Sequence, residues 1–523
     1  MPKATLPFGE LRPDLALLDN QYANVADNVF PFSNTYKPVP CLLPFSTAML
    51  PAPCMGLGYA RKKDGTWQIY AGTATKLYQW SYAGWGDITN TNVAQLPSGS
   101  YAVPFGEKWI FQQFGTKVVA TQIGNKSQWV DTETGGVFAD LPGNPPIAHG
   151  CKVIGDFLFL YGLASDPVAG QTGRQCAMWC GINDITQWTI GTQLCDVQFF
   201  PDQGPVQGVA GSEVAGYIVQ DRGIRSLQFL PGDINLIFNF ARVVKERGSI
   251  SEFGYETNAD VLYFLAEDGY YALAGTQLIP IGFEKINDTF LANSDIGSRN
   301  IVQCFVAAKP YVIWPFCSTS NFGNIPLYDR AMLYNWANQR WATATVADVD
   351  GLVGAQAYAV LSTAPLDLDT DDASDPNDPD LDSNSDSLDS FKYLGGRPLV
   401  CAVNSRGQLC ALNGPNLQAT LETAEAHLVP GQRAFVSEVY PLVDGADTIV
   451  DVATRERLGD TPVWQGGAPA SEMPLGGLPI EVTGSASILT SSRLHRFRVT
   501  VPFAEKWQNA QGVLAEAQPD GYA

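Results

Sequence analysis

A recurring hairpin pattern between about residues 55 and 415 restricts the possible folds of this sequence more than any other feature. In each repeat, a short strand rich in aromatic and β-branched residues meets a polar turn and leads into a second strand. The seven turns lie near residues 74, 125, 184, 222, 268, 338 and 406. Repeats of about 40–50 residues with four short strands each are typical of β-propellers. The pattern therefore predicts an all-β fold, a β-propeller with six or seven blades; a row of β-sandwiches is the alternative.

The composition supports the all-β assignment. Only 16% of the residues are charged, 11% are aromatic, and the 523-residue chain contains 50 glycines and 35 prolines. Glycine and proline favour turns, whereas aromatic side chains favour strands. A chain of this length buries a sizeable core, and its turn-rich composition is typical of a strand protein rather than a helical one.

Two segments flank the predicted propeller body of residues 55–415. Residues 1–54 are rich in Pro and Asn and are predicted to form an extended arm, because each proline biases its predecessor toward extended backbone. Residues 416–523 are predicted to form a separate β-sandwich or barrel-like domain. Within that domain the alternation of polar and apolar residues places Phe497 and Val499 on one buried face of a strand.

An aspartate-rich stretch interrupts the last predicted blade at residues 363–390. It contributes ten negative charges and contains no Lys or Arg between its first and last aspartate. Like charges interspersed with Pro, Ser and Asn cannot collapse into a core, so we predict a disordered insertion. The stretch lacks the fixed glycine and the distal glutamate of a calcium-binding EF-hand loop. The aspartates are Asp367, Asp369, Asp371, Asp372, Asp375, Asp378, Asp380, Asp382, Asp386 and Asp389.

The net charge of −21 restricts the classes of partner. A general nucleic-acid binder needs a basic face to displace counterions from phosphates, and an anionic membrane surface also attracts basic rather than acidic proteins. The sequence shows no secretory signal and no apolar run of the length that spans a bilayer, so we expect synthesis in a cytoplasm and no membrane span. The ten cysteines are scattered, and we interpret them as reduced, mostly buried thiols.

Motifs for catalysis are missing from the sequence. It has no phosphate-binding loop ending in Gly-Lys-Ser/Thr, no Gly-x-Ser-x-Gly elbow and only three histidines. His149 stands beside prolines and a glycine, and we interpret it as a loop or core residue. We therefore predict that the protein is not an enzyme and holds no metal or cofactor. Packing between blades, rather than a ligand groove, is expected of the tryptophans near the turns, Trp80, Trp129, Trp188 and Trp341.

Short motifs near both ends and in two hairpins give the sequence a family resemblance. The motifs are Leu11-Arg12-Pro13-Asp14, Asn28-Val29-Phe30-Pro31, Tyr36-Lys37-Pro38, Tyr70-Ala71-Gly72-Thr73, Tyr334-Asn335-Trp336 with Arg340-Trp341, and Ser492-Arg493-Leu494-His495-Arg496-Phe497-Arg498-Val499. They resemble the tail nozzle, tail hub or head-to-tail tube proteins of short-tailed bacteriophages (podoviruses). The resemblance implies a structural virion protein with a β-propeller body, a homohexameric ring and no catalysis.

The resemblance also implies partners and a location. The chain is expected in the virion tail, after synthesis in the bacterial host cytoplasm. It is expected to contact the phage adaptor or head-to-tail connector ring, with tail fibres or spikes as further partners. Double-stranded DNA passes such a ring without specific binding, and acidic walls suit this passage because a basic lumen would hold the phosphates. We therefore expect part of the excess acid to face a channel that retains packaged DNA and lets it pass during ejection.

Two groups of residues are candidates for assembly contacts. A six-fold ring gives each subunit two different faces, and ordering a stiff, proline-rich arm costs little entropy. The predicted arm contacts are Arg12, Asp14, Asn28, Phe30 and Tyr36, and the predicted C-terminal contact surface comprises Arg493, His495, Arg496 and Arg498. Deletion of residues 1–30 is expected to abolish ring or tail assembly while the propeller stays folded.

Two other functions remain open from the sequence. A carbohydrate-binding or carbohydrate-cleaving propeller at a tail tip would need a concave cluster of aromatic residues and carboxylates. A cellular propeller that serves as an interaction scaffold would belong to no particle. A six-fold ring in electron micrographs separates the tail protein from the scaffold, and turnover of a surface glycan identifies the carbohydrate enzyme.

Overall fold

The structure is a computed structural model of the chain. It describes residues 3–16, 22–81, 84–104, 106–212, 215–232, 236–294, 302–307, 310–318, 327–362, 398–445, 447–465, 478–479 and 484–521. Within these ranges the chain is almost entirely strands, with one α-helix, α1 (Asn287–Asn293), and one 3-10 turn, Gly173–Gln175. The predicted acidic insertion at residues 363–390 lies outside the described residues.

The chain begins with five strands that precede the first complete sheet. They are β1 (Lys3–Pro7), β2 (Ala26–Asp27), β3 (Val29–Phe32), β4 (Thr35–Pro38) and β5 (Pro40–Met49). β3 and β4 form an antiparallel hairpin. The other three find their partners far along the sequence, as described below.

Five four-stranded antiparallel sheets follow, each with its strands in chain order. The first contains β6 (Leu57–Arg61), β7 (Trp67–Gly72), β8 (Leu77–Ser81) and β9 (Gly84–Asp87), and the second β10 (Ile110–Phe114), β11 (Lys117–Gln122), β12 (Asn125–Asp131) and β13 (Ala139–Asp140). The third contains β14 (Ala148–Ile154), β15 (Phe157–Leu163), β16 (Cys176–Trp179) and β17 (Asp196–Phe199). The fourth contains β18 (Val206–Ser212), β19 (Ala215–Gln220), β20 (Gly223–Phe229) and β21 (Phe238–Lys245), and the fifth β22 (Tyr255–Asn258), β23 (Val261–Ala266), β24 (Gly269–Ala274) and β25 (Gln277–Pro280).

Two further sets of four strands continue this pattern. One set is β26 (Phe305–Val306), β27 (Tyr311–Phe316), β28 (Arg330–Asn335) and β29 (Arg340–Thr345), which pair in chain order inside a larger sheet. The other combines β30 (Ala355–Ser362), β31 (Pro398–Asn404) and β32 (Gln408–Asn416) with β5 from the N-terminal segment. The last set therefore contains strands from both ends of the body.

The first strands of these sets form a closed cycle, which makes the body a β-propeller. β6 contacts β10, and the contacts continue through β14, β18, β22, β26 and β30, which contacts β6 again. We call these the axial strands, because they surround a common axis while the later strands of each set lie farther out. Antiparallel four-stranded sheets around a central axis are the arrangement of a propeller. The all-β prediction and the propeller prediction are confirmed.

Most of the predicted hairpins join the second and third strands of a set. The turns near residues 74, 125, 222, 268, 338 and 406 connect β7–β8, β11–β12, β19–β20, β23–β24, β28–β29 and β31–β32. The prediction near residue 184 is wrong, because the hairpin of that sheet joins β15 to β16. Asp184 lies instead in the connection to β17, where its carboxylate accepts a hydrogen bond from the backbone N–H of Thr186 at 2.9 Å. A local Asp turn in a long connection thus has the same sequence signature as a hairpin.

The remaining strands belong to residues 416–523 and form two layers. They are β33 (Ala419–Glu422), β34 (Ala434–Val443), β35 (Ile449–Arg455), β36 (Val463–Gln465), β37 (Leu478–Pro479), β38 (Ala486–Ser492), β39 (Leu494–Val501) and β40 (Ala510–Pro519). One layer runs β3-β4-β40-β34-β38, with β1 also paired to β40. Phe497 and Val499 on β39 of the other layer are fully buried, as predicted from the alternation.

The N-terminal strands join the propeller to the C-terminal layers. β2 pairs with β29 on one side and β33 on the other, which makes one ten-stranded sheet in the order β26-β27-β28-β29-β2-β33-β39-β35-β36, with β37 beside β35. A single hydrophobic cluster contains Trp314 of β27, Tyr36 of β4 and Phe497 of β39. The C-terminal strands and the neighbouring propeller strands therefore share one core.

Candidate functional site: the axial charge cluster

A polar cavity of about 230 Å³ lies among the axial strands. Its lining includes Lys108, which lies two residues before β10, and Lys152 on β14. Tyr161, Tyr255 and Gln303 contribute polar groups from three further places around the axis. Because the lining comes from most of the strand sets, the closure of the ring creates this cavity.

A buried group of charged side chains lies beside the cavity, and we call it the axial cluster: Glu107, His149, Arg174 and Glu252. His149 on β14 is only 1% exposed, its Nδ1 lies 2.8 Å from Glu107 Oε2, and its Nε2 lies 2.8 Å from Glu252 Oε2. The second carboxylate oxygen of Glu252 lies 2.9 Å from Nη2 of Arg174. Glu107 precedes β10 and Glu252 precedes β22, so the cluster connects the second, third and fifth sheets.

The two carboxylates keep the imidazole of His149 protonated. Burial by itself would lower the pKa of His149, but Glu107 and Glu252 raise it to about 9. Burial would also raise the pKa of Glu252, yet His149 and Arg174 hold it below its ordinary value. At neutral pH two carboxylates therefore face an imidazolium and a guanidinium, which compensates the charges that burial would otherwise penalise.

The cluster could also be a site for a divalent metal, because carboxylates and imidazoles are common metal ligands. The ligand atoms of Glu107, His149 and Glu252 all lie within 4.8 Å of one another. However, the two imidazole nitrogens face different carboxylates on opposite sides of the ring. A metal requires a neutral imidazole, whereas this environment raises the pKa of His149 to about 9. The arrangement fits an imidazolium held between carboxylates better than a metal centre.

The axial cluster is a network of buried ion pairs that joins three sheets of the propeller. The prediction that His149 is a core residue is confirmed, because the side chain is buried on β14. Glu107 and Glu252 are far from His149 in the chain, so no local sequence pattern pairs them with it.

Two of the predicted arm contacts are buried inside the chain's own fold. Asn28 donates a hydrogen bond from Nδ2 to the carbonyl of Gln418 at 2.7 Å. Tyr36 is fully buried and donates its hydroxyl hydrogen to the carbonyl of Gly9 at 2.7 Å. The expectation that these two side chains reach a neighbouring subunit is corrected, because both are used in joining the N-terminal segment to the body.

The other three predicted arm residues are partly exposed and also have internal partners. Arg12 forms an ion pair with Glu10 at 2.8 Å. The carboxylate of Asp14 accepts hydrogen bonds from the backbone N–H groups of Asp288 and Thr289 at the start of α1, at 3.0 and 2.9 Å. The ring of Phe30 lies 4.7 Å from that of Tyr311, centroid to centroid. A role of these three residues in assembly stays a prediction.

The predicted C-terminal contact surface is also corrected in part. His495 is fully buried and Arg498 is 3% exposed, because both faces of β39 are covered. Arg498 pairs with the buried Glu422 at 2.6 Å, and the Arg496 guanidinium lies 3.6 Å from the same carboxylate. Burial lowers the pKa of His495 to about 4, so burial and not the neighbouring arginines sets its charge. Arg493 is partly exposed.

The remaining predictions about side chains concern cysteines and tryptophans. All ten cysteines are buried and free, which confirms the interpretation as buried thiols. Trp80, Trp188 and Trp341 are at most 7% exposed, so they pack in the interior rather than line a groove. No helix in the described part of the chain is long and apolar enough to cross a membrane.

Comparison with known proteins gives distant structural likenesses. No family model and no curated protein matches the chain. The computationally designed Ika8 protein aligns with 77% of this chain and 99% of its own at 10% identity and a TM-score of 0.36. BamB from Moraxella catarrhalis aligns with 79% of this chain and 97% of its own at 10% identity and a TM-score of 0.36. The N-terminal domain of Nup159 aligns with 74% of this chain and 98% of its own at 12% identity and a TM-score of 0.34. The fold assignment rests on the strand pairing rather than on these likenesses.

Proposed function

We propose that this protein is a structural subunit of the tail nozzle or tail tube of a short-tailed bacteriophage, built on a seven-bladed propeller. Six copies form a ring that continues the head-to-tail channel, retains packaged DNA and lets it pass during ejection. The protein contacts the connector ring of the particle and carries out no catalysis. Its function is to assemble into the ring and to form part of the channel wall.

The convergence of the motifs that carry the family resemblance is the observation on which the proposal rests. The N-terminal motifs form β3 and β4, and the motifs around Tyr334 and Arg340 form β28 and β29. Asn335 donates from Nδ2 to the carbonyl of Pro31 at 2.8 Å, and Arg340 places its guanidinium 4.7 Å from the Tyr36 ring centroid. Motifs that are far apart in the sequence thus meet in one place, as expected if they belong to one inherited architecture.

A single propeller has no room for a DNA duplex at its centre, which favours a channel that forms between subunits. Side chains from three sheets meet in the axial cluster, and the adjoining cavity of about 230 Å³ is far too small for a DNA duplex. DNA would therefore pass along a surface that several copies share. A net charge of −21 keeps such a surface from binding phosphates.

Electron microscopy of the purified full chain, alone and mixed with the connector ring of the same particle, tests the proposal. The expected result is a six-fold ring that docks coaxially on the connector and shows seven blades in each subunit. A chain that stays monomeric beside its connector and hydrolyses a surface glycan would overturn the proposal. A variant lacking residues 363–390 is the matched control, because the deletion leaves every described strand in place.

A further inference from the structure

Lys108 occupies an unusual position at the axial cavity. The residue lies two positions before β10, and its side chain lies between two aromatic rings: Nζ is 4.3 Å from the Tyr328 ring centroid and 5.2 Å from that of Phe253. Nζ also donates a hydrogen bond to the hydroxyl of Tyr328. Lys108 and Phe253 line the axial cavity, and Tyr328, on the other side of the amine, is fully buried.

No carboxylate accompanies this amine. Among the described residues, no carboxylate oxygen lies within 4.0 Å of Lys108 Nζ, whereas most other cations around the body form ion pairs. Glu107, the preceding residue in the sequence, and Glu252, the neighbour of Phe253, are used by His149 and Arg174. Burial without a counter-ion lowers the pKa of Lys108 to about 7, so a large share of the amine is uncharged at neutral pH.

We propose that Lys108 is a covalent modification site whose ε-amine reacts with a small aldehyde that enters the axial cavity. The nitrogen lone pair attacks the carbonyl carbon and forms a C–N bond. The carbonyl oxygen then leaves as water, taking the two amine protons, and an imine remains on Lys108. The Phe253 ring on the cavity wall and the cavity volume of about 230 Å³ favour a small, uncharged carbonyl compound.

Reductive labelling with propionaldehyde and cyanoborohydride, read by peptide mass spectrometry on the intact full chain, tests the proposal. At pH 7 Lys108 is expected to label at least about tenfold faster than the exposed Lys63, because burial leaves a large share of the Lys108 amine deprotonated. The rate at Lys108 should level off above pH 7. Labelling of Lys108 that is no faster than that of Lys63, or that occurs only in urea, would overturn the proposal.

Two further labelling experiments distinguish reaction inside the cavity from the general reactivity of lysine amines. A bulky aromatic aldehyde is expected to label Lys63 and to leave Lys108 unmodified, because the cavity admits only small molecules; equal labelling of both would contradict the assigned site. The Tyr328→Phe variant keeps the ring and removes the hydroxyl, and it is expected to retain fast labelling of Lys108. Circular dichroism confirms that this variant is folded, and loss of the fast labelling in the folded variant would count against the aromatic pocket as its cause.

Discussion

The two buried histidines of the described chain have opposite charge states in similar settings. Each lies on a strand, and neither is more than 1% exposed. His149 in the axial cluster stands between two carboxylates and has its pKa raised to about 9, whereas burial lowers the pKa of His495 on β39 to about 4. Burial is the only cause that acts on the pKa of His495, and no carboxylate contributes to it. The difference teaches that the paired carboxylates, and not burial, decide whether a core histidine carries charge.

Removal of the Glu252 carboxylate, which His149 and Arg174 share, is expected to have the largest effect on stability. In Glu252→Ala the imidazolium of His149 and the guanidinium of Arg174 lose their common partner in the interior. Breaking one side of a buried ion pair costs about 3–5 kcal/mol of unfolding free energy. Urea unfolding at pH 7 measures the loss. A loss below about 1 kcal/mol would show that the cluster does not clamp the sheets together.

The change of unfolding free energy at alkaline pH should depend on His149. Because its pKa is raised from 6.5 to about 9 on folding, its contribution is complete below pH 6.5 and is lost as the pH rises to about 9. The total is up to about 3 kcal/mol. Between pH 6 and pH 9.5, His149→Gln should therefore lose less stability than the unmodified chain by up to this amount, as measured by urea midpoints.

Lys108 is the control for that measurement. Burial lowers its pKa to about 7, so its effect on stability has the opposite sign and increases stability as the pH rises above 7. The two contributions oppose each other between pH 7 and pH 9, so the net decrease of stability with rising pH should be steeper in a Lys108→Met background than in the unmodified chain. An identical slope with and without His149 in that background would contradict the imidazolium assignment.

The change of unfolding free energy at acid pH should depend on His495, whose contribution is lost as the pH falls rather than as it rises. Its pKa is lowered from 6.5 to about 4, so its contribution is present above pH 6.5 and is lost as the pH falls toward 4. His495→Gln should reduce the loss of stability between pH 7 and pH 4 by up to about 3 kcal/mol, with carboxylate titration common to both proteins. Midpoints from pH 4 to pH 7 give the difference, and parallel curves would show that His495 is charged in the folded chain.

An exposed ion pair provides the smallest expected effect. Arg247 and Asp268 lie 2.9 Å apart, and their side chains are 46% and 45% exposed. Surface pairs of this kind contribute less than about 1 kcal/mol. Asp268→Asn should therefore change the urea midpoint little and leave its dependence on acid and alkaline pH unaltered. A loss as large as that of Glu252→Ala would remove the distinction between buried and exposed charges in this protein.

Local pairing explains which parts of the fold the sequence predicted. Six of the predicted turns connect adjacent strands such as β23 and β24, whose aromatic residues and intervening turn lie within one short window. The pairing of β2 with β29 and β33, and that of β5 with β32, could not be predicted, because each brings together segments from opposite ends of the chain. A two-residue strand such as β2 has no periodicity that a sequence pattern could reveal.

The candidate site was less predictable than the fold. His149 was recognised as a core residue, but the pKa that makes it charged comes from Glu107 and Glu252, which only the closed ring brings to it. The arginines around His495 suggested an exposed basic surface. In the structure Glu422 neutralises Arg498 in the interior, and the sequence separation of this pair hides it from any local pattern.

The placement of β5 has a consequence for how the protein is made. Its partner β32 ends at Asn416, and the intervening chain forms all the other strand sets of the body. A ribosome releases β5 early, and this strand must wait with an unpaired edge until β32 emerges. Unpaired strand edges on nascent chains invite association with other chains. Closure of the ring is therefore a late event in synthesis, and the interval before it is the period in which this protein most needs a chaperone.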